Sequence, residues 1–433
     1  MAQLKVAHGG RGIYPIVIGM IKKRRKKSMC SLDKVYKRNR HTLSIMTLPD
    51  RVLYIANGSF KTTLERRVNK FDELITLDPW SDNEIRKDLE LEYYMGNFVG
   101  DPRTASSDIR LIWDSGGLQL FRGGTDFLDP RTIGKQYRDA DIYAGVTLDL
   151  IVPKYINNYA RAAKFSASIQ RRNTELLQKA APSVKVLNMI HGYTSYSRDV
   201  WLNNCYTPKV SSNWCLADLS RVSNITERAY FMLKDILDLQ KIRDLKKIWI
   251  HILGVAMHKF ILIMVPLAPF VGRMTSDATT ALTASMHGTM LLPSIGVPQK
   301  SYYIGRLSDS SGTTLPCSCP VCSLVGNSWV YSKFNIPLAF HNVCISNKWV
   351  NTLNAVFKYE GIQGYVKYLQ SIAYPIHILE LIEKVYGHIE SNTYPEYIQG
   401  ADTLGFNMAV VKSEKRFWSN IKKYIKFYQS LDN

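Results

Sequence analysis

The chain has 433 residues, 46% hydrophobic and 21% charged, a balance that argues against disorder and allows a sizeable core in one large domain or two. Its 56 Lys and Arg stand against 36 Asp and Glu, a formal net charge of +20, which points to a polyanionic partner, nucleic acid first. The longest apolar runs, Ile13 to Ile21 and Phe260 to Val271, are too short to span a bilayer, so no membrane partner is expected. The first run is followed by a block of charge, unlike a secretory signal. Seven cysteines without such a signal make a disulfide framework unexpected and place the chain in a reducing compartment, the cytoplasm.

In chain order, residues 1–45 form a basic N-terminal extension with six consecutive cations from Lys22 to Lys27. Lys22, Lys23, Arg24 and Arg25 are candidate phosphate contacts, and a plain solvated charge run is the competing reading. One large domain is expected over residues 46–433. From about Leu48, short apolar runs ending in a polar residue or glycine alternate with longer helical stretches, the pattern of a parallel sheet or barrel. Ile109 to Trp113 precedes Asp114, Ile142 to Leu148 precedes Asp149, Val184 to Ile190 precedes His191, and Ile248 to Leu253 precedes Gly254. Tyr159 to Ala180 reads as a helix and Thr226 to Lys247 as one or two. Polar residues directly after buried strands are the site signature of a (β/α)8 barrel, and a doubly wound open sheet would look similar. No G-x-G-x-x-G opens a helix and no P-loop occurs, so dinucleotide and NTP binding lack support.

Cys317, Cys319 and Cys322 form C-x-C-x-x-C, and His341 follows. Three thiolates and one imidazole close a tetrahedral zinc shell with no open position, so a structural Zn2+, one per chain, is expected, within a subdomain of about 300–350. Cys344 competes with His341 for the fourth position. A basic C-terminal helix of about 412–430 is expected to dock through Phe417, Trp418, Ile421, Tyr424, Ile425 and Tyr428. Its outward cations include Lys422 and Lys423, further candidate nucleic-acid contacts.

Three features coincide in order: Asp114-Ser115-Gly116-Gly117-Leu118-Gln119, Asp149 ending the strand GVTLDLIVP, and the cysteine cluster with His341-Asn342. Together they resemble the guanine transglycosylase family over roughly Leu111 to Asn342. The resemblance implies an α/β fold, a (β/α)8 TIM barrel with an inserted zinc subdomain. It also implies exchange of guanine in a nucleic acid for a 7-deazaguanine, through a covalent aspartyl intermediate. Asp277, in the segment MTSDATTAL at residues 274–282, is then the nucleophile, although a gapless match puts Ser276 there. Asp114 is implied as general acid and base, Asp149 as the carboxylate that pairs with the purine, and Ser115, Gly116, Gly117 and Gln119 as its surroundings.

The chain departs from the family pattern at His191-Gly192, where Gln-Gly is usual, and at Ala217-Asp218-Leu219-Ser220, where Gly-Gly-Leu-Ser is usual. His191 and Gly192 remain candidate base contacts, with Asp218 a possible extra one. The stretch after Asp277 contains none of the arginine expected of tRNA-acting relatives, which favours DNA over tRNA. The charge and divergent ends look more like the viral branch, which inserts a preQ0-like base into DNA against host restriction. A tRNA enzyme, a catalytically silent nucleic-acid-binding subunit and a homodimer stay open. An unrelated zinc hydrolase is disfavoured, because a closed shell offers substrate no position.

Overall fold

The computed structural model describes residues 52–57, 93–97, 110–206, 213–255, 258–278, 284, 289–291, 301–303, 317, 319, 336–396 and 408–432. Eight parallel strands come first: β1 (Val52–Asn57), β2 (Tyr93–Asn97), β3 (Arg110–Asp114), β4 (Ala144–Val146), β5 (Lys185–Ile190), β6 (Asn213–Leu216), β7 (Trp249–Ile252) and β8 (Arg273–Ala278). Between β3 and β8 run α1 (Gly117–Arg122), α2 (Pro130–Asp139), α3 (Tyr159–Ala180), α4 (Ser195–Cys205), α5 (Ile225–Ile242) and α6 (His258–Met264). An antiparallel pair follows, β9 (Thr289–Leu291) with β10 (Ser301–Tyr303). The chain then forms α7 (Ile336–Ser371), interrupted at Gly361, α8 (Ile376–Glu390) and α9 (Met408–Asp432).

Local chemistry explains the helix boundaries. Asp129 accepts from the Arg131 amide with Pro130 in the first turn of α2; Asn158 accepts from Arg161 at the start of α3; Asn224 accepts from Thr226 and Glu227 at the start of α5. Each side chain satisfies an amide that has no partner inside its helix. The buried residues fall into two layers. Leu111, Trp113, Val186, Ile190, Trp214, Leu216, Ile250 and Ile252 meet the helices on the outer face. Ile112, Ala144, Val146, Leu187, Met189, Cys215, Ala217 and Trp249 fill the concave inner face. The two-residue strand period makes this division, and it decides which polar residues face inward.

The sequence led us to expect a (β/α)8 TIM barrel, and that expectation is corrected. The sheet that carries the helices and the candidate site is six parallel strands, β3 to β8, curled into a half-barrel. The β1 and β2 backbones pair into the remaining arc, β2 on β3 and β1 on β8, so the hydrogen-bonded strand order returns on itself. Neither β1 nor β2 is followed by a described helix, so eight βα units are not formed among the described residues. The reason is visible in the pattern: among the described residues strand and helix alternate from β3 to β8, and the family resemblance supplied the other repeats.

Several expected elements keep their places. Residues 159–180 form α3 over the expected span, and the stretch after Thr226 gives α5 and a short 3-10 turn, Leu245–Lys247. Helix α9 docks by Phe417, Ile421, Tyr424 and Tyr428, all buried, whereas Ile425 is exposed and leaves the expected apolar face. The apolar run after Phe260 folds as α6 and a 3-10 turn inside the core. No described helix is long and apolar enough to cross a membrane. The basic extension, with Lys22, Lys23, Arg24 and Arg25, lies outside the described residues, and so does the run from Ile13.

Candidate functional site

Asp114 and Asp277 stand at the C-terminal ends of β3 and β8, Asp149 lies just beyond β4, and the carboxyl group of Asp114 feels both of the others electrostatically. Strand parity explains the choice at β8. Thr275 contacts the inward residues Trp249 and His251, so Asp277, two residues on, shares that inner face. Ser276 points the other way and donates to the Ile252 carbonyl at 2.8 Å. A serine held against the outer layer cannot serve the same site.

The three carboxylates differ in their partners. Burial, then the negative charge of Asp149 and more weakly that of Asp277, lifts the Asp114 pKa to about 7, against the backbone amides of Gly116 and Ser115. Asp277, 1% exposed, accepts from the Gly254 amide at 2.6 Å and lies 3.3 Å from His251 Nε2. Asp149, 2% exposed, has Oδ2 2.9 Å from His191 Nε2. The alignment falls short of a hydrogen bond, and at this separation between buried groups the contact is one of charge. On the other side of the ring, His191 Nδ1 lies 2.9 Å from Asp218 Oδ2. Burial alone would lower the His191 pKa, and the two flanking carboxylates outweigh it and raise it to about 9. Burial likewise opposes ionisation of Asp218, yet His191, Arg221 and Arg198 bring its pKa down to about 2. Asp149, His191 and Asp218 therefore form a row in which the flanking carboxylates favour the charged imidazole.

This row places two of the expected residues. Both nitrogens of His191 face carboxylates, so the ring braces Asp149. Asp218, raised only as an extra contact, is its second anchor. It adopts φ +62, a left-handed conformation that Asp tolerates better than most side chains and that glycine provides in the pattern it replaces. Gly192 at φ +138 gives its amide to Asp218 at 3.3 Å, and a Cβ there would meet Ser197 Oγ at 2.6 Å. Beneath it Arg198, itself buried, pairs with Asp235 and donates to the carbonyls of Gly192 and Ala217, tying the ends of β5 and β6 together.

Of the expected Asp114 neighbours, Gly116 forms the turn into α1 at φ +88. Gly117 lies so close to Asp149 that a Cβ would fall 2.0 Å from its Oδ1. Ser115 turns away and donates to the Thr147 carbonyl at 3.0 Å, so its hydroxyl serves the β3–β4 junction. Gln119 is on α1, with its side chain outside the description. Lys422 is exposed, and Lys423 Nζ reaches the Asp126 carbonyl at 3.2 Å.

A second cluster joins Cys317, Cys319 and His341, whose ligand atoms lie within 4.8 Å of one another and could hold a metal ion. His341 Nδ1 is 3.3 Å from Cys319 Sγ, and its Nε2 donates to the Leu291 carbonyl at 2.6 Å, which aims the other nitrogen at the thiols. Asn342 accepts from the Leu291 amide at 2.8 Å and donates to the Thr289 carbonyl at 3.0 Å. The His-Asn pair thus ties α7 to β9. His341 belongs to this group, and Cys344, its competitor for that position, does not. Cys322 lies outside the described residues.

Sequence reasoning missed His251 and Thr275, although their two-residue spacing from Trp249 and Asp277 is an inward-facing signal. Chemically, Asp114 is poised to exchange a proton near neutral pH at the same end of the sheet as Asp149 and Asp277. No protein-family model and no curated protein matches the chain.

Proposed function

We propose that the protein is a guanine transglycosylase that replaces guanine in DNA with a 7-deazaguanine. One observation carries the reading: the three aspartates singled out by the resemblance converge at one end of the sheet, where burial and the neighbouring carboxylates raise the pKa of Asp114 to about 7. Asp277, held by an amide, is suited to attack C1′. As its oxygen bonds to C1′, the C1′–N9 bond breaks, the electron pair leaves with guanine, and Asp114 supplies the proton. The incoming base returns a proton from N9 to Asp114, attacks C1′ and releases the carboxylate. Asp149, fixed by His191, would accept the N1–H and the exocyclic amine of the purine.

The metal is proposed to be zinc, held by Cys317, Cys319 and His341 with Cys322 as the fourth ligand. Borderline-soft thiolates and an imidazole whose far nitrogen is bound to a carbonyl suit that ion, in a structural role linking β9 to α7. One zinc per chain is expected by elemental analysis, with Cys319→Ser lowering its retention. A chain that carries another metal, or none, would overturn this assignment.

Exchange of labelled guanine into duplex DNA, single-stranded DNA and bulk tRNA tests the reaction. DNA labelling that falls at least about 1000-fold in Asp277→Asn supports it. Labelling confined to tRNA would transfer the substrate to RNA, and no labelling of any nucleic acid would leave a silent, nucleic-acid-binding subunit.

A further inference from the structure

Beneath Asp277 a chain of buried polar groups runs along the inner face of β7 and β8. Trp249 Nε1 donates to Thr275 Oγ1 at 2.7 Å, and Thr275 Oγ1 lies 2.9 Å from His251 Nδ1. Across the ring, His251 Nε2 is 3.3 Å from Asp277 Oδ1. Thr275 and His251 are fully buried.

Proton accounting gives the chain a direction. An indole N–H can only donate, so Thr275 accepts from Trp249. The hydroxyl proton of Thr275 then needs an acceptor, because a buried unsatisfied O–H costs about 1–3 kcal/mol. Trp249 cannot accept it, and the remaining partner is His251 Nδ1. An Nδ1 that accepts leaves the ring proton on Nε2, facing the carboxylate.

We propose that His251 is a positioning residue for Asp277, its proton fixed on Nε2 by the Trp249–Thr275 relay. The inference rests on the transglycosylase reading for its chemical meaning and on hydrogen-bond accounting for its structure. Asp277 Oδ1, already bound by the Gly254 amide, is the oxygen that His251 holds. It becomes the carbonyl oxygen of the glycosyl ester, and the other oxygen forms the bond to C1′. The Nε2 contact is not aligned as a hydrogen bond in this state, and such contacts commonly tighten when substrate binds.

The first test needs no substrate. The full chain, labelled with 15N-histidine, contains nine histidines, and the His251 signals are assigned by their loss in His251→Gln. The expected pattern is a protonated, pyrrole-type Nε2 and an unprotonated, pyridine-type Nδ1, with Thr275→Val releasing the ring to a mixture of tautomers. A proton on Nδ1, or a pattern unchanged by Thr275→Val, overturns the relay even if the chain exchanges guanine well. The second test is kinetic. Thr275→Val is expected to lower kcat for exchange about tenfold or more while KM for the base stays within about twofold, and Thr275→Ser is expected to restore it. An unchanged kcat in folded Thr275→Val removes the positioning role. Absence of exchange in the wild type would count against the transglycosylase reading and leave the tautomer measurement to decide the relay.

Discussion

Asp114 and His191 share Asp149 as a charged neighbour, yet pH acts on them in different windows. Burial and neighbouring negative charge hold Asp114 at about 7, above its ordinary 3.8. The folded state therefore keeps a proton that the unfolded chain gives up, and the Asp114 contribution weakens as pH rises from about 4 through 7. Asp114→Asn should raise the melting temperature at pH 8 by more than at pH 5, while abolishing exchange. His191 has the opposite origin: its pKa is raised from 6.5 to about 9 because Asp149 and Asp218 favour the charged ring over the cost of burial. Its stabilisation is complete below about pH 6.5 and is lost as pH climbs through 9. Urea unfolding at pH 6.5, 8 and 9.5 should show a decline over that interval in the wild type and a flatter profile in His191→Gln. An identical decline in both would show that another group titrates there. Of these two residues, the sequence located Asp114 by motif and His191 by its place after an apolar run. It could not show that His191 is enclosed by carboxylates, because Asp218 lies 27 positions away.

At the scale of elements, the end of β5 and helix α9 depend on buried polar anchors. The Arg198–Asp235 pair joins α4 to α5 while Arg198 also holds two strand-end carbonyls. Removing one partner of a buried pair leaves an uncompensated charge, so Asp235→Ala is expected to cost about 3–5 kcal/mol in denaturant titrations. Helix α9 places Tyr424 wholly inside, with its hydroxyl on the Leu128 carbonyl at 2.7 Å. Tyr424→Ala should destabilise by about 3 kcal/mol or more, whereas Ile425→Lys, at an exposed position, should change stability by less than about 0.5 kcal/mol. Equal effects at 424 and 425 would mean that the helix docks by another face. The helical period in the sequence revealed a docked aromatic helix. Choosing between the adjacent positions Tyr424 and Ile425 required knowing where α2 and α3 lie.

The whole molecule carries a net charge of +20, and the proposed substrate is a polyanion. Affinity for a fluorescent DNA duplex is expected to fall at least about tenfold between 50 mM and 200 mM salt, since neutralised phosphates release counterions. Salt-independent binding would place the affinity elsewhere. The charge was evident from composition, whereas the contacts of individual cations were not: Lys423, on the outward basic face of its helix, reaches a carbonyl of the chain itself.

The sequence by itself determined the strand-helix alternation from β3 to β8, the polar residues at strand ends and the cysteine-histidine group. Each of these is written in local period or spacing. The tertiary structure alone decided that, among the described residues, six strands make the helix-backed sheet, because the alternation says nothing of how many units a sheet contains. It also decided that Asp277, not Ser276, faces the site, because a strand shows its two faces only when its neighbours are in register. The partners that assign a charge to each buried group come from distant segments, and burial gives their proximity its energy.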